Sequence, residues 1–275
     1  MNPSRCETTR DDVDWAAAWR EHLLRSGLEA NLSRVGLLPE EFWTRFGGWV
    51  QRLSRNGYPG VLLERVMALV RQGDSVLDVG AGAGTYALPL ARVACHVTAV
   101  EPSPVQAGRL AAGVREEGLS NLSILPHCWE ELDPAEIGVH DLVLAAHCFQ
   151  MHDIRAALSK MCRVTRRSLI LIHAADNDLT DTLRTVLGVE PGPNYIYLYN
   201  TLCQMGFCPD VDIVTRTYRV PLETQMDMFR CNPGLSEEQC RRLRHHLEGE
   251  SRVSLLDGQP SMERRHSDAV IHVSM

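Results

Sequence analysis

A glycine-rich turn that follows a short apolar run constrains this chain more than any other feature. Residues 76–85 read Val-Leu-Asp-Val-Gly-Ala-Gly-Ala-Gly-Thr, with glycine at every second position of the turn. Glycine adopts left-handed backbone angles and has no side chain, so such a turn allows the backbone to approach a ligand closely. The pattern therefore predicts a strand, a ligand-binding loop and a helix in succession.

From Ser75 onward, short apolar runs alternate with helical segments, which is typical of β-α units around a largely parallel sheet. A polar stretch over 176–193 is expected to form a loop above the active edge of the sheet. We expect an α/β, Rossmann-like fold with a mostly parallel seven-stranded sheet and helices on both faces. The predicted strands cover residues 75–79, 96–100, 122–125, 141–145, 168–173, 211–220 and 269–274, and the predicted helices cover 85–93, 104–117, 154–165, 195–205 and 236–248.

The N-terminal residues have a different pattern, with large apolar side chains at helical spacing. Trp15, Trp19 and Leu23 recur at i, i+4, i+8, and a second stripe begins at Phe42 and Phe46. A glycine- and proline-containing turn at residues 56–60 interrupts these helices. The sequence predicts an N-terminal helical cap over residues 1–60 and a ligand-binding domain over residues 61–275.

Composition restricts the partners and the location of the chain. A formal net charge of -7 provides no general positive field, so nucleic acid is disfavoured as a partner. Neither a signal-peptide pattern nor a membrane-spanning apolar run is visible, so we expect a cytoplasmic protein, monomeric or homodimeric, without a membrane partner. The nine cysteines include no C-x-x-C pair, which favours reduced thiols and no metal site.

Two carboxylates define the chemistry expected at the glycine turn. Asp78 precedes the turn, whose G-x-G-x-G spacing differs from the G-x-G-x-x-G of dinucleotide sites. A pyrophosphate would be repelled by this carboxylate, whereas an ammonium group would be attracted, which favours an amino-acid-like ligand. Glu101 ends the second predicted strand, where an acid can accept both hydroxyls of a ribose.

These residues resemble the class I S-adenosylmethionine (SAM)-dependent methyltransferase family over roughly residues 73–174. The resemblance implies SAM as cofactor and S-adenosylhomocysteine (SAH) as its product. Cys128 stands where the family usually has an aspartate for the adenine amino group, and Trp129 is expected to contact the purine ring instead. The implied cofactor-binding residues are Asp78, Gly80, Ala81, Gly82, Gly84, Tyr86, Glu101, Pro102, Ser103, Gln106, Cys128, Trp129, Ala145 and Ala146.

The function that this resemblance implies is methyl transfer to a small-molecule acceptor. His127, His147 and His173 each follow a predicted strand, and His147 is the candidate general base because it borders the expected methyl site. Scaffold histidines remain the alternative at these positions. The candidate acceptor-site residues are Tyr58, Tyr195 and Tyr199.

Three other functions compete with this interpretation. The first is a SAM- or SAH-binding module without transfer activity, which the missing adenine aspartate would favour. The second is a methyltransferase acting on protein or RNA. The third is a nicotinamide-dependent oxidoreductase, against which the glycine spacing and Asp78 argue.

Overall fold

One sheet of eight strands organises the part of the chain that the computed structural model describes, residues 12–54, 58–250, 252–256 and 258–275. Seven strands follow one another in the order β3-β2-β1-β4-β5-β8-β6, and β7 pairs with β8 outside this path. The first five strands of that order are parallel, and β8 runs antiparallel to both β5 and β6. The strands are β1 Ser75–Val79, β2 His96–Val100, β3 Leu122–Leu125, β4 His140–Ala146, β5 Thr165–Asn177, β6 Asp210–Pro221, β7 Val253–Leu256 and β8 Gln259–Ser274.

Helices cover both faces of the sheet. One apolar cluster contains Leu77, Val143 and Leu171, and a second contains Val76, Leu144 and Ile170 on the opposite face. This alternation follows from the two-residue period of a strand that is buried on both faces. The helices are α1 Trp15–Ser26, α2 Leu28–Arg34, α3 Pro39–Ser54, α4 Val61–Met67, α5 Ala87–Ala91, α6 Pro104–Glu116, α7 Pro134–Ile137, α8 Ile154–Arg163, α9 Thr180–Leu187, α10 Tyr195–Gln204, α11 Leu222–Cys231 and α12 Glu237–Gly249.

The fold expected from the sequence is confirmed, and the structure corrects its C-terminal part. β4 ends at Ala146, opposite Ile172 of β5. β5 extends beyond this point and pairs with β8 as far as Asn177. Together with β6, β7, α9, α11 and α12, this extension forms a C-terminal layer with its own apolar core. The stretch 176–193 is therefore not only a loop, because α9 lies within it, and β8 begins at Gln259 rather than at residue 269.

The N-terminal helices contact the sheet domain at three separate places. α1 packs against α8 and α10, and its Trp19 is fully buried and donates from Nε1 to the carbonyl of Met151 at 2.9 Å. α2 contacts the chain after α11 through Asn31, whose Nδ2 donates to Asn232 Oδ1 at 2.6 Å. α3 packs against α6. The predicted turn at residues 56–60 is described only at residues 58–60. The apolar stripe that begins at Phe42 and Phe46 continues to positions 49 and 53, whose side chains lie outside the described part of the structure.

Candidate active site

Each of the three glycines in the turn after β1 is favoured at its position for a different structural reason. All three have positive φ, 70° at Gly80, 57° at Gly82 and 91° at Gly84. A Cβ on Gly80 would lie 2.2 Å from Cys148 Cβ, and one on Gly84 would lie 2.6 Å from Leu110 Cδ1, whereas one on Gly82 would meet no atom within 4 Å. Gly82 is therefore the glycine that faces open space, where a ligand can approach the backbone.

Asp78 is a buried carboxylate that lacks part of its expected hydrogen bonding. Its side chain lies at the end of β1, 2% exposed, and Oδ2 has no hydrogen-bond partner in the described structure. Burial, followed by repulsion from Glu101, raises its pKa to about 7, although a hydrogen bond from the backbone N–H of Ala87 acts to lower it. A buried acceptor without a donor is costly, so an ammonium group placed here would relieve a real deficit.

Glu101 connects the glycine turn to the start of α6. Oε2 accepts from the Gly82 N–H and Oε1 from the Ser103 N–H, both at 2.8 Å. Burial raises its pKa, while these two hydrogen bonds oppose the shift. Each carboxylate oxygen keeps a second lone pair for a ligand hydroxyl. Two hydroxyls of a ribose therefore fit the remaining capacity of this side chain, beside exposed Pro102.

Behind Glu101, a polar chain reaches from α6 to the N-terminal helices. Gln106 is 4% exposed, and its Oε1 accepts from Arg109 NH1 at 3.0 Å. Arg109 also donates to the carbonyls of Trp43 and Thr44 on α3, each at 3.0 Å. Arg109 therefore fastens α3 over the helix that follows the candidate ribose site, a role that sequence reasoning did not identify.

The two residues expected at the adenine differ in their environment. Cys128 is exposed and begins a short turn, Trp129–Glu131, with its N–H donating to Glu131 Oε2 at 3.3 Å. Trp129 is 3% exposed, and its Nε1 donates to the Ala157 carbonyl at 3.2 Å. Lys160 Nζ lies 5.2 Å from the centre of the indole. The indole thus has a packing role against α8, and its contact with adenine stays a prediction.

At the end of β4, the backbone turns sharply beside the glycine loop. Ala145 is fully buried and Ala146 is partly buried. His147 follows with φ 54°, and in the described ranges it is the non-glycine residue with a positive φ. Such backbone angles are uncommon outside glycine and often occur at functional sites. The side chain of His147 is 31% exposed, at the same edge as the Gly80 turn.

The ring of His147 faces a buried carboxylate that the sequence analysis did not identify. Asp268 on β8 is fully buried, and its Oδ1 lies 3.6 Å from His147 Nε2 and 3.0 Å from His266 Nε2. Its Oδ2 forms an ion pair with Arg216 of β6 at 2.6 Å. Although burial opposes it, the hydrogen bonds from His266 and Arg216 and the neighbouring His147 ring hold the pKa of Asp268 well below its usual range.

Two tyrosines lie between this cluster and Asp78. The guanidinium of Arg216 lies over the ring of Tyr58 at 4.8 Å, and Arg216 Nε is buried without a hydrogen-bond partner. Tyr86 is 4% exposed, and its hydroxyl also lacks a partner within the described residues. Burial and the nearby Asp268 raise the pKa of Tyr58 to about 12, and burial also raises that of Tyr86. Both phenols are therefore neutral donors at physiological pH.

On the other side of His147, aromatic side chains join β5 to α1. His173 Nε2 donates to the Pro193 carbonyl at 2.9 Å, and its ring lies 6.4 Å from that of His147 and 5.8 Å from that of Trp19. Burial, then the charge of His147, lowers the pKa of His173 to about 4. Tyr197 has ring contacts with Trp15 and Trp19 of α1 and bonds to His22 at 2.9 Å, and the acceptor-site role of Tyr195 and Tyr199 stays a prediction.

Two general properties complete the description of the site. Within the described ranges, no group of three or more His, Cys, Asp or Glu side chains has the geometry of a metal site. His127 lies exposed after β3.

Among the helices of the described residues, none has both the length and the apolar character for crossing a membrane. The cytoplasmic location stays a prediction from the sequence.

Comparisons with known proteins agree with this geometry. A family model for a methyltransferase domain matches residues 76–168. An uncharacterised protein of Haemophilus influenzae is 28% identical over 208 residues, 74% of each chain. The ribosomal RNA small subunit methyltransferase G of Rhodococcus jostii is 28% identical over 170 residues, 57% of this chain and 69% of that one. This relative means that the expectation against nucleic acid is not supported.

The fold also matches solved structures. The YcgJ protein of Bacillus subtilis aligns with a TM-score of 0.56 at 17% identity, covering 78% of this chain and 96% of that one. The glycine turn ending at Gly84 and the candidate ribose-site acid Glu101 both lie within the matched segment. The family model identifies a methyltransferase domain at residues 76–168 of this chain.

Proposed function

We propose that this protein transfers the methyl group of SAM to a small-molecule acceptor placed beside His147. The observation that carries the proposal is the unpartnered, buried Oδ2 of Asp78 below a glycine turn whose central residue faces open space. A ligand that ends in an ammonium group supplies the missing donor. When bound, SAM supplies an electrophilic methyl group on a sulfonium, so the chain mainly has to bind, orient and deprotonate.

The described side chains divide the proposed cofactor site into three parts. Asp78 and the neutral hydroxyl of Tyr86 suit the charged amino-acid end of SAM, and Glu101 suits the ribose hydroxyls. Cys128 and Trp129 border the adenine part, where the exposed thiol replaces a carboxylate. The other proposed contacts come from backbone or small side chains at Gly80, Ala81, Gly82, Gly84, Pro102, Ser103, Gln106, Ala145 and Ala146.

The elements around His147 support a small acceptor. α1 and α10 pack together beside β5, and the C-terminal layer continues the sheet beyond the end of β4. Helices and strands on both sides of an active edge restrict access and exclude water, which favours methyl transfer. In this proposal, Tyr58, Tyr195 and Tyr199 contribute to the walls of the acceptor site, and His147 removes a proton from the acceptor.

RNA is the second candidate acceptor. It is favoured by the relative that modifies ribosomal RNA and by an open cleft of about 350 Å³ in the C-terminal layer. Three arginines line this cleft, although acids and one serine share it. Basic side chains bind phosphate backbones in a salt-dependent manner. The lining residues are Asp178, Arg219, Arg252, Ser254, Glu263 and Arg265.

Calorimetric titration with SAM, SAH and NAD tests the cofactor. We expect saturable binding of SAM and SAH but not of NAD, and loss of binding in an Asp78→Ala, Glu101→Ala double variant. Glu117→Gln is the matched control, because this acid pairs with Arg92 on the surface. If the wild-type protein binds neither SAM nor SAH, the proposed function is wrong.

Transfer of labelled methyl distinguishes the acceptor classes. The full chain is incubated with methyl-tritiated SAM and cell extract, and label is measured after filtration and after RNase or protease digestion. We expect label in the low-molecular-weight filtrate. RNase-sensitive label in the retained fraction would assign RNA instead, and protease-sensitive label would assign protein. SAM binding without transfer to any fraction would favour the binding module.

A further inference from the structure

Asp268 forms the centre of a polar cluster between two strands and the end of β4. It comes from β8, Arg216 comes from β6, and both side chains lie on the sheet face that also buries Val214 and Val270. A buried carboxylate requires charge compensation and hydrogen bonds. Arg216 compensates Oδ2 at 2.6 Å, which leaves Oδ1 for the two histidines, His147 and His266.

The two histidines share Oδ1 unequally. His266 Nε2 lies at 3.0 Å, a hydrogen bond, whereas His147 Nε2 lies at 3.6 Å, an electrostatic contact just beyond hydrogen-bond range. The carboxylate faces Nε2 of His147, so it favours the tautomer that carries its proton on Nε2. The unprotonated Nδ1 then has a lone pair available. His147 lies directly after β4, where its backbone has a φ of 54°.

We propose that Asp268 is a positioning residue that prepares Nδ1 of His147 to accept a proton, and that the acceptor is a small hydroxyl compound methylated on oxygen. This inference rests on the proposed function. It adds the partner of the base and the class of atom that receives the methyl group.

The charges around His147 favour a hydroxyl over other nucleophiles. A hydroxyl oxygen is a weak nucleophile until its proton is removed, so a prepared base accelerates its reaction. Neutral ring nitrogens and thiolates already present a lone pair and gain little from such a base. An alkylammonium acceptor also needs a base, but its positive charge would lie beside that of the sulfonium.

The balanced step follows from this arrangement. Nδ1 of His147 accepts the hydroxyl proton while the acceptor oxygen bonds to the methyl carbon. The sulfur–methyl bond breaks and its electron pair stays on sulfur, which gives a methyl ether, neutral SAH and an imidazolium. The imidazolium is stabilised by the carboxylate of Asp268 and then releases its proton to water.

The ionisation of His147 depends on every titratable group packed around it. Burial lowers its pKa, Asp268 opposes this, and the charges of His266 and Arg216 lower it further. The ring is therefore neutral at physiological pH and able to act as a base. The facing groups are Asp268 and His266 on β8, Arg216 on β6, His173 on β5, and Tyr58 and Tyr86, which lie near Asp268.

Nitrogen-15 NMR of histidine-labelled full-length protein tests the positioning role without any acceptor. The His147 signals are assigned by their loss in His147→Gln. In the wild type we expect the Nε2-protonated tautomer. In Asp268→Asn we expect mixed tautomers and a His147 pKa lower by about one unit, because the neighbouring carboxylate charge is lost. An unchanged tautomer and an unchanged pKa would overturn the proposal.

Two further variants protect this test against a general loss of structure. His266→Gln removes the second histidine from Oδ1, so the pKa of His147 should rise, the opposite direction to Asp268→Asn. Asp212→Asn is the matched control, because this acid on β6 pairs with Arg65 at the protein surface rather than with a histidine. It should leave the His147 signals in place. Equal effects of Asp212→Asn and Asp268→Asn would indicate a merely structural role.

Transfer from carbon-13 methyl-labelled SAM into the small-molecule filtrate tests the acceptor class. The methyl carbon shift distinguishes methyl on oxygen from methyl on nitrogen or carbon. We expect an O-methyl signal, and a rate about 10-fold to 100-fold lower in Asp268→Asn with unchanged SAM affinity. An N-methyl or C-methyl signal would overturn the hydroxyl assignment. Absent SAM binding would instead contradict the proposed function, and the NMR result on His147 would still decide the positioning role.

Discussion

Asp78 shows how a binding residue can destabilise the protein that carries it. Its pKa of about 7 in the folded chain lies above the ordinary 3.8, so folding favours its protonated form. The free energy of unfolding is therefore not reduced by this carboxyl below pH 3.8, and it falls as the pH rises towards about 7 and beyond. The difference between the two pKa values corresponds to a loss of roughly 4 kcal/mol at most. We predict that Asp78→Asn raises the free energy of unfolding at pH 8, measured by urea denaturation, and weakens SAM binding.

The same carboxyl predicts the pH dependence of SAM binding. Only the ionised form attracts an ammonium group, so wild-type affinity should fall as the pH decreases from 8 to 6.

For the stability of Asp78→Asn, Asp141 provides the control with the opposite sign, because hydrogen bonds from Ser75 and the charge of Arg166 lower the pKa of Asp141 to about 2. Asp141→Asn should therefore destabilise the protein at pH 8. A destabilised Asp78→Asn with intact SAM binding would contradict the assignment of Asp78.

The residues of the site differ in how far the sequence reveals them. Asp78 and Glu101 could be singled out as candidates from the sequence because each follows apolar residues of a predicted strand, and Asp78 stands just before the glycine turn. Asp268 and Arg216 were not, because their role depends on β8 lying between β5 and β6. A weak signal exists in retrospect, since Asp268 is an acid that directly precedes the apolar residues 269–271.

At the scale of elements, burial decided which strands could be predicted. β1, β2 and β3 have the predicted bounds because they are short, largely apolar strands of the parallel part of the sheet, with β1 and β2 between two neighbours and β3 at the edge. The first half of β8 contains charged side chains, among them Arg264, which pairs with Asp178, so its sequence does not look like a central strand. α9 has a helical stripe, Leu179, Leu183 and Leu187, that the surrounding polar residues concealed.

The C-terminal layer depends on one buried arginine. Arg264 on β8 is 5% exposed and donates to Asp178 at 2.9 Å, to Gln225 on α11 at 2.5 Å and to Asn177 at 3.3 Å. Removing it takes a donor from Gln225 and Asn177 and leaves Asp178 with Arg252 as its remaining ion-pair partner, which costs about 3 kcal/mol. We predict that Arg264→Met lowers the free energy of unfolding by this amount, measured by urea denaturation.

A surface ion pair provides the control for this element. Arg241 pairs with Glu238 on α12, with 74% and 64% of the side chains exposed. Arg241→Met should change stability by less than about 0.5 kcal/mol. Similar losses for Arg264→Met and Arg241→Met would show that the network around Asp178 does not hold the layer together.

At the scale of the whole molecule, the N-terminal helices share the core of the sheet domain. Trp19 and Leu23 belong to the same apolar cluster as Val79, Val143 and Leu171. Arg109 fastens α3 to α6 at a different place. These helices are therefore expected to unfold with the sheet in one cooperative transition, even though the sequence pattern changes near residue 60.

Two tryptophans on α1 provide a matched test of this cooperativity. Trp19 is fully buried and donates to Met151, whereas Trp15 is partly exposed and its Nε1 has no partner in the described structure. Trp19→Phe should cost about 2–4 kcal/mol through a cavity and a lost hydrogen bond, and Trp15→Phe less than about 1 kcal/mol. In both variants, urea transitions followed by circular dichroism and by the remaining tryptophan fluorescence should coincide. Two separated transitions, or a larger loss from Trp15→Phe, would instead show that the helices fold apart from the sheet and cover the acceptor site as an independent unit.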